Sequence, residues 1–388
     1  MLAGTYIARL LDPPRQSFFL LGPRGSGKST WVRHELPGAH RVDLLDQAIY
    51  HAYLARPGQF ADEVRAVRPG TTVVVDEVQR IPTLLNDVHR FIEERRMRFV
   101  LCGSSARKLK QQGTNLLAGR ALRRQLHPFV PAELGKAFDL EAALTHGTLP
   151  VIWQAPSPWD ALAAYVQLYL REEIQAEALV RNLPGFVRFL PIAALFHGQT
   201  LNVASLARDA EVSRTTVTGY LEILEDTLLA FRLPAWEGRL RVRERRHPKL
   251  FWVDAGLVRA IRRQRGAPGP EEQGPLFEGW IANLLRIHND YGGGLFDEWY
   301  YWAPCEAART EVDFLLRRGR DWIAIEAKST VRADADQLRG LRAIEGLGGL
   351  RRRILAYRGP RRMITADGIE VWPVNHLSVA LASDRLWP

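Results

Sequence analysis

The chain has 388 residues with 46% hydrophobic and 25% charged content, which is the balance of an ordinary globular protein and excludes a disordered or fibrous one. Its length exceeds the roughly 100–200 residues of a common domain, so two to four units are expected. A formal net charge of +10 favours a polyanionic partner, nucleic acid above all, and two cysteines, Cys102 and Cys305, exclude both a disulfide framework and a cysteine metal site.

No apolar run reaches the roughly 18–20 residues that span a bilayer, and the N-terminus lacks a signal-type core. A soluble, cytoplasmic protein with no membrane partner is therefore expected. Tyr6–Leu11 reads as a short helix stopped by Pro13 and Pro14. Phe18–Leu21 reads as a buried strand leading into Gly22, Pro23, Arg24, Gly25, Ser26, Gly27, Lys28, Ser29 and Thr30, and a helix follows. Strand, glycine-rich loop and helix in this order form a phosphate-binding loop, in which backbone N–H groups and the helix N-terminus attract a polyphosphate. Lys28 is expected to reach the β- and γ-phosphates, and the Ser29 hydroxyl to ligate Mg²⁺. ATP and Mg²⁺ are the cofactors this stretch calls for.

Arg41–Leu45 reads as a second strand, with helices over 47–56 and 60–67. The β-branched run Thr71–Val75 suits a central parallel strand and ends in Asp76 and Glu77. Apolar residues leading to paired acids form a Walker B pattern, with Asp76 on Mg²⁺ and Glu77 polarising the attacking water. A helix over Pro82–Arg95 and a strand over Met97–Cys102 follow, and Ser104 or Ser105 at the strand tip stands where a γ-phosphate sensor belongs.

These motifs, with Leu117–Arg120 and His127–Phe129, resemble the prokaryotic AAA-type ATPases that carry a C-terminal domain of unknown function. The resemblance implies an arginine finger at Arg120, which completes a neighbouring subunit's site, and hence a homo-oligomer, with a hexamer as the leading expectation. It also implies a small helical lid over 131–187, in which Arg171 and Arg181 both remain open as a second sensor. Arg107, Lys108 and Lys110 are either nucleic-acid contacts or solvated charge.

Helical patterns over 189–196, 203–210 and 214–227 have helix-turn-helix spacing, with Ser213 capping the last. Arg214, Thr215, Thr216 and Thr218 then lie at the exposed start of a recognition helix. Strands over 228–233 and 249–253, joined by a basic loop containing Arg241 and Arg243, make a winged variant suited to a DNA backbone. Use of the same fold for protein packing alone stays open.

After the Gly/Pro-rich stretch 266–270, a helix over Leu276–Leu285 is followed by strands over 299–302, 311–316 and 322–328, a helix over 336–344 and a strand over 353–357. Glu278, Asp313, Glu326 and Lys328 on helix, strand and strand resemble the PD-(D/E)xK nuclease superfamily, with Val312 in place of the proline. The resemblance implies Asp313 and Glu326 as metal ligands, Glu278 as an outer ligand and Lys328 as the catalytic lysine. Glu326 and Lys328 alternate along one strand and so share a face.

The fold expected is thus α/β, with an AAA-type P-loop core at 1–130, a helical lid at 131–187, a winged helix-turn-helix at 188–265 and a restriction-endonuclease-like domain at 266–388. The function expected is ATP hydrolysis coupled to binding and remodelling or translocating DNA, branched DNA included, with a metal-dependent nuclease as a further possibility. A nucleotide-dependent switch that binds DNA or protein without moving or cutting it is the alternative.

Overall fold

The structure, a computed structural model, describes residues 6–105, 117–169, 182–238, 246–305 and 310–388. Among these described residues the chain forms two compact units and three sheets. The first unit comprises Met1–Pro128 with Leu149–Gln154 and Ile223–Leu229.

Its sheet contains β1 (Phe18–Leu21), β2 (His40–Asp43), β3 (Val73–Asp76), β4 (Phe99–Gly103) and β5 (Leu122–Gln125), in the order β2-β3-β4-β1-β5. All four pairings are parallel. The apolar runs of β1, β3 and β4 are buried because helices cover both faces of such a sheet. The helices are α1 (Lys28–Glu35), α2 (Gln47–Ala55), α3 (Gln59–Ala66) and α4 (Leu84–Arg95). Phe60, Val64, Leu85, Val88 and Phe91 pack on Val73, Val75, Phe99 and Leu101 in one core. Register places Leu21 opposite Gly103 and Asp43 opposite Asp76, so the strands' C-terminal ends open along one edge. Ligands of parallel sheets bind at that edge.

The expected helix at Tyr6–Leu11 is absent: residues 6–9 have no regular secondary structure and Leu10 lies in a bend. Six residues before a proline pair are too short to hold an isolated helix. Their polar groups find tertiary partners instead: Arg9 donates to the carbonyls of Ser26 and His127, and Trp31 Nε1 donates to the Leu11 carbonyl at 3.2 Å.

The second unit comprises Phe129–Thr148, Ala155–Glu222 and Ala230–Pro388. Helices run over Leu140–His146, Pro158–Ala164 and Leu183–Leu195. The last begins ahead of the expected helix at 189–196, since Pro184 fits the first helical turn and the Asn182 side chain accepts from Gly185 N at 3.0 Å. Then come β6 (Gln199–Thr200), helices Val203–Asp209 and Arg214–Asp226, and the antiparallel pair β7 (Ala230–Leu233) and β8 (Lys249–Trp252), in sheet order β6-β8-β7.

A long helix, Pro270–Tyr291, leads to β9 (Glu298–Trp302), β10 (Val312–Arg318), β11 (Asp321–Lys328), β12 (Leu350–Tyr357), β13 (Met363–Ile364) and β14 (Glu370–Pro373). These form a mixed sheet in the order β13-β14-β12-β11-β10-β9. β9, β10 and β11 are antiparallel neighbours, whereas β11, β12 and β14 run parallel. β13, β14 and the final helix Val374–Ala382 lie beyond the last element read from the sequence. The expected helix at 336–344 is a 3-10 turn, Ala335–Leu338, running into the short helix Arg339–Ala343.

Candidate functional site

The loop after β1 has the backbone a phosphate cradle requires. Gly27 caps α1 in the left-handed region at φ 88°, where a side chain is strained, and Gly25 has φ 76°. A Cβ on Gly22 would lie 2.5 Å from the Leu126 carbonyl oxygen, so only glycine fits where β5 leaves the sheet. Ser26 N donates to Pro23 O at 3.2 Å and closes the loop, while Val151 N donates to Gly25 O at 3.2 Å. The short helix Pro150–Trp153, which carries Val151, has no signal in the sequence pattern.

Lys28 is only 7% exposed, and its Nζ donates to the carbonyls of Gly22 at 2.8 Å and Pro23 at 3.3 Å. The ammonium is therefore fixed inside the loop. Ser29 Oγ donates to Asp76 Oδ2 at 2.7 Å, joining the start of α1 to the end of β3 across β4 and β1. A hydroxyl and a carboxylate side by side, with a lysine within the loop, are the donor set that Mg²⁺ and a triphosphate need.

Glu77 adopts φ 54°, a left-handed conformation unusual for a residue with a Cβ. Its N–H is held by Asp76 Oδ1 at 3.1 Å, and its Oε2 accepts a short bond from Gln79 Nε2. The same Gln79 amide lies 3.3 Å from Ser104 Oγ, so Gln79 links the acid after β3 to the serine after β4. Gln79 is buried, and sequence reasoning missed it because a lone glutamine after an acidic pair carries no motif. Both serines are buried, and Ser104 is the one this amide reaches.

Arg120 lies in a turn before β5 and is paired with Glu93 of α4, whose carboxyl it pulls down by hydrogen bond and charge. Arg171, Arg181, Arg107, Lys108, Lys110, Arg241 and Arg243 lie outside the described residues. In the second unit, Ser213 Oγ accepts from Thr216 N at 3.1 Å and caps the helix, and Thr218 Oγ1 bonds back to Arg214 O at 3.1 Å. Arg214, Thr215 and Thr218 are exposed and Thr216 half-buried.

The sheet of the second unit brings its acids together differently from the expected set. Glu278 of the long helix meets Glu311 and Asp313 at the start of β10, each offering an oxygen within 4.8 Å of the others. Glu311 is the member sequence reasoning missed. Glu326 instead pairs with Lys328, and Lys328 Nζ stands 3.7 Å from Asp313 Oδ2. Asp313 Oδ2 also accepts from Ala327 N at 2.9 Å, a bond set by the β10–β11 register.

A second lysine enters this cluster from β8. Lys249 is 2% exposed, and its Nζ bonds Glu278 Oε1 at 2.7 Å and Glu311 Oε1 closely, with Asp313 Oδ1 at 3.4 Å. Burial pushes Glu278 up to about 8, aided by the Asp313 charge, and burial likewise raises Glu326 well above the usual carboxylate range. Burial acts the same way on Asp313, but the Lys328 and Lys249 ammoniums outweigh it and hold this acid at about 2. Burial raises Glu311 as well, against the pull of the Lys249 ammonium. A divalent metal does not fit this arrangement, because a lysine nitrogen already stands among the three oxygens that would bind it.

Among the described residues no helix is long and apolar enough to cross a membrane. Residues 14–135 match the model of an AAA domain, residues 137–267 a domain of unknown function (DUF8612) and residues 273–377 a second domain of unknown function (DUF4143). Uncharacterized proteins of Mycobacterium bovis and Mycobacterium tuberculosis are each 25% identical over 377 residues, covering 95% of this chain and 82% of theirs.

Among solved structures, the replication initiator DnaA bound to AMPPCP and single-stranded DNA aligns with a TM-score of 0.27 at 12% identity, over 55% of this chain and 83% of that one. Drosophila ORC bound to AT-rich DNA and Cdc6 gives 0.21 at 11% identity, over 64% and 86%. A Vibrio cholerae protein gives 0.24 at 14% identity, over 95% and 97%. The parallel sheet, the loop from Gly22 to Lys28 and the match over residues 14–135 thus agree on an AAA domain, which a C-terminal domain of unknown function follows at residues 273–377.

Proposed function

We propose that the chain is an ATP-hydrolysing AAA-type machine that assembles as a homo-oligomer and binds and remodels or translocates DNA. The observation that carries the ATPase is the 2.7 Å bond between Ser29 and Asp76 beside the buried Lys28. Lys28 would neutralise phosphate charge, and Ser29 and Asp76 would hold Mg²⁺, which supplies electrostatic stabilisation of the transferring phosphoryl group when bound. Glu77 is the base that takes a proton from the attacking water. Gln79 sets where that carboxylate points and ties it to Ser104.

DNA as the partner rests on the net charge of +10 and on the exposed Arg214, Thr215 and Thr218 at the capped start of a helix that follows another across a short turn. This reading retains the winged helix-turn-helix expectation for residues 188–265. A second reading, a slow nucleotide-dependent switch, is favoured by one feature: the Glu77 carboxylate is bonded to Gln79, which competes with water for it.

Steady-state ATP hydrolysis with Mg²⁺, measured with and without duplex, single-stranded and branched DNA, separates the two. A machine turns over faster with one DNA form and loses that turnover in Glu77→Gln. Tight ATP binding with slow turnover indifferent to every DNA would replace it with the switch.

A further inference from the structure

We infer that the carboxylate cage of the second unit is built to hold the Lys249 ammonium of β8 in the place where a nuclease-like sheet would hold a metal ion. This goes beyond the proposed ATPase and does not depend on it. The cage is formed by Glu278 from the long helix and by Glu311 and Asp313 at the start of β10. Among the described residues these three are the group whose oxygens converge closely enough for a cation. Lys249 Nζ contacts all three. An ion bound to the same oxygens at about 2.0–2.6 Å would have to stand where this nitrogen stands.

Neighbouring oxygens are engaged too, except Glu326 Oε2, which is buried without a hydrogen-bond partner. Asp313 Oδ2 is held by Ala327 N and faces Lys328, and Glu326 Oε1 is taken by Lys328. Tyr301 closes the cage on another side, its ring centroid 5.3 Å from Lys249 Nζ and its hydroxyl bonded to the His247 carbonyl. Lys249 is therefore fixed by charge and by an aromatic face at once. A lysine side chain buried to this extent is retained only where its charge is matched, and here the acids of a helix and a strand match it.

The consequence is chemical and mechanical. The second unit keeps the Glu, Asp and Glu-x-Lys set but uses it to anchor the β7–β8 pair to the sheet, so it does not cleave DNA through a bound metal ion. The β7–β8 pair and the sheet carrying the acids are bolted together by one side chain.

The test uses the full chain without nucleotide, titrated with Mn²⁺ and followed by electron paramagnetic resonance. Wild type and Asp313→Asn should take up the same amount, a comparison that cancels any ion near Asp76. Lys249→Met, of similar length but uncharged, should gain a saturable Mn²⁺ site that is lost again in Lys249→Met/Asp313→Asn. Uptake by wild type that disappears in Asp313→Asn would overturn the inference, as would a folded Lys249→Met that gains nothing. If Lys249→Met does not fold, the ammonium of Lys249 can be followed by ¹H–¹⁵N NMR in wild type. A signal unchanged by Mn²⁺ supports the anchored lysine, and selective bleaching of it overturns the inference. DNA cleavage by wild type with Mg²⁺ or Mn²⁺, lost in Asp313→Asn, would overturn it independently.

Discussion

Ser29 Oγ lies 2.7 Å from Asp76 Oδ2, and this bond joins two stretches that are 47 residues apart in the chain. It exists because β1 and β3 end at the same edge of one parallel sheet. If the pair holds Mg²⁺ for hydrolysis, Asp76→Asn should lower kcat by roughly 10²–10³-fold, the usual cost of removing one preorganised electrostatic group. Steady-state turnover checks this, with a fluorescent ATP analogue reporting binding separately.

Gln79 should behave as a positioning residue. Gln79→Leu removes the donor to Glu77 and Ser104 and is expected to lower kcat by roughly 10–100-fold, on the scale of other groups that orient a functional ligand, while KM for ATP stays near wild type. A parallel loss in KM would assign Gln79 to binding instead. An increase in kcat would favour the switch, since Gln79 would then be restraining the base.

Glu77 stores backbone strain that glycine would release. At φ 54° a left-handed non-glycine residue costs about 1 kcal/mol, so Glu77→Gly should raise thermal stability while abolishing turnover. Thermal unfolding of Glu77→Gly beside Glu77→Gln, which keeps the Cβ, isolates the backbone effect. Equal stability of the two would dismiss it.

Arg120 is half-buried and ion-paired with Glu93, so a neighbouring subunit would have to draw it out of that pair to use it as a finger. Arg120→Ala should lose roughly 10³-fold or more of turnover if it is a finger acting in trans. Mixing it with Glu77→Gln should restore part of the activity, because mixed interfaces combine a good finger with a good base. No recovery on mixing, with both variants folded, would refute action between subunits.

Stability should fall on mild acidification through His197. Burial lowers its pKa to about 3, with Arg262 adding to the effect, and its Nδ1 accepts the Trp252 N–H at 3.1 Å, a bond that a proton there would abolish. The unfolded chain binds that proton near the ordinary 6.5, so between 6.5 and about 3 the unfolded state holds more protons. The stability is present above 6.5 and lost as pH falls below it. Wild type should lose about 1 kcal/mol more than His197→Gln between about pH 7.5 and about pH 5.5, read by denaturant titration.

The sequence by itself determined the strands of the parallel sheet, the phosphate loop and the Walker B acids. Each is a local pattern whose physics is local: β-branched runs bury on both faces, glycine alone adopts the loop's positive φ, and a helix N-terminus follows directly. It also put Glu326 and Lys328 on one face of a strand, which the pleat alone dictates. Tertiary structure decided what no short window contains. Gln79 gained its contacts only when β3 and β4 became neighbours, and the N-terminal segment stayed non-helical while Arg9 and Leu11 found partners in the loop and α1. Lys249 reads as one more basic residue near an Arg-rich loop, and only the packing of β8 against the long helix and β10 surrounds it with three acids. Burial then makes that encounter decisive, since a charge removed from water must be met by opposite charge, and this follows from where the chain folds rather than from what lies beside the residue in sequence.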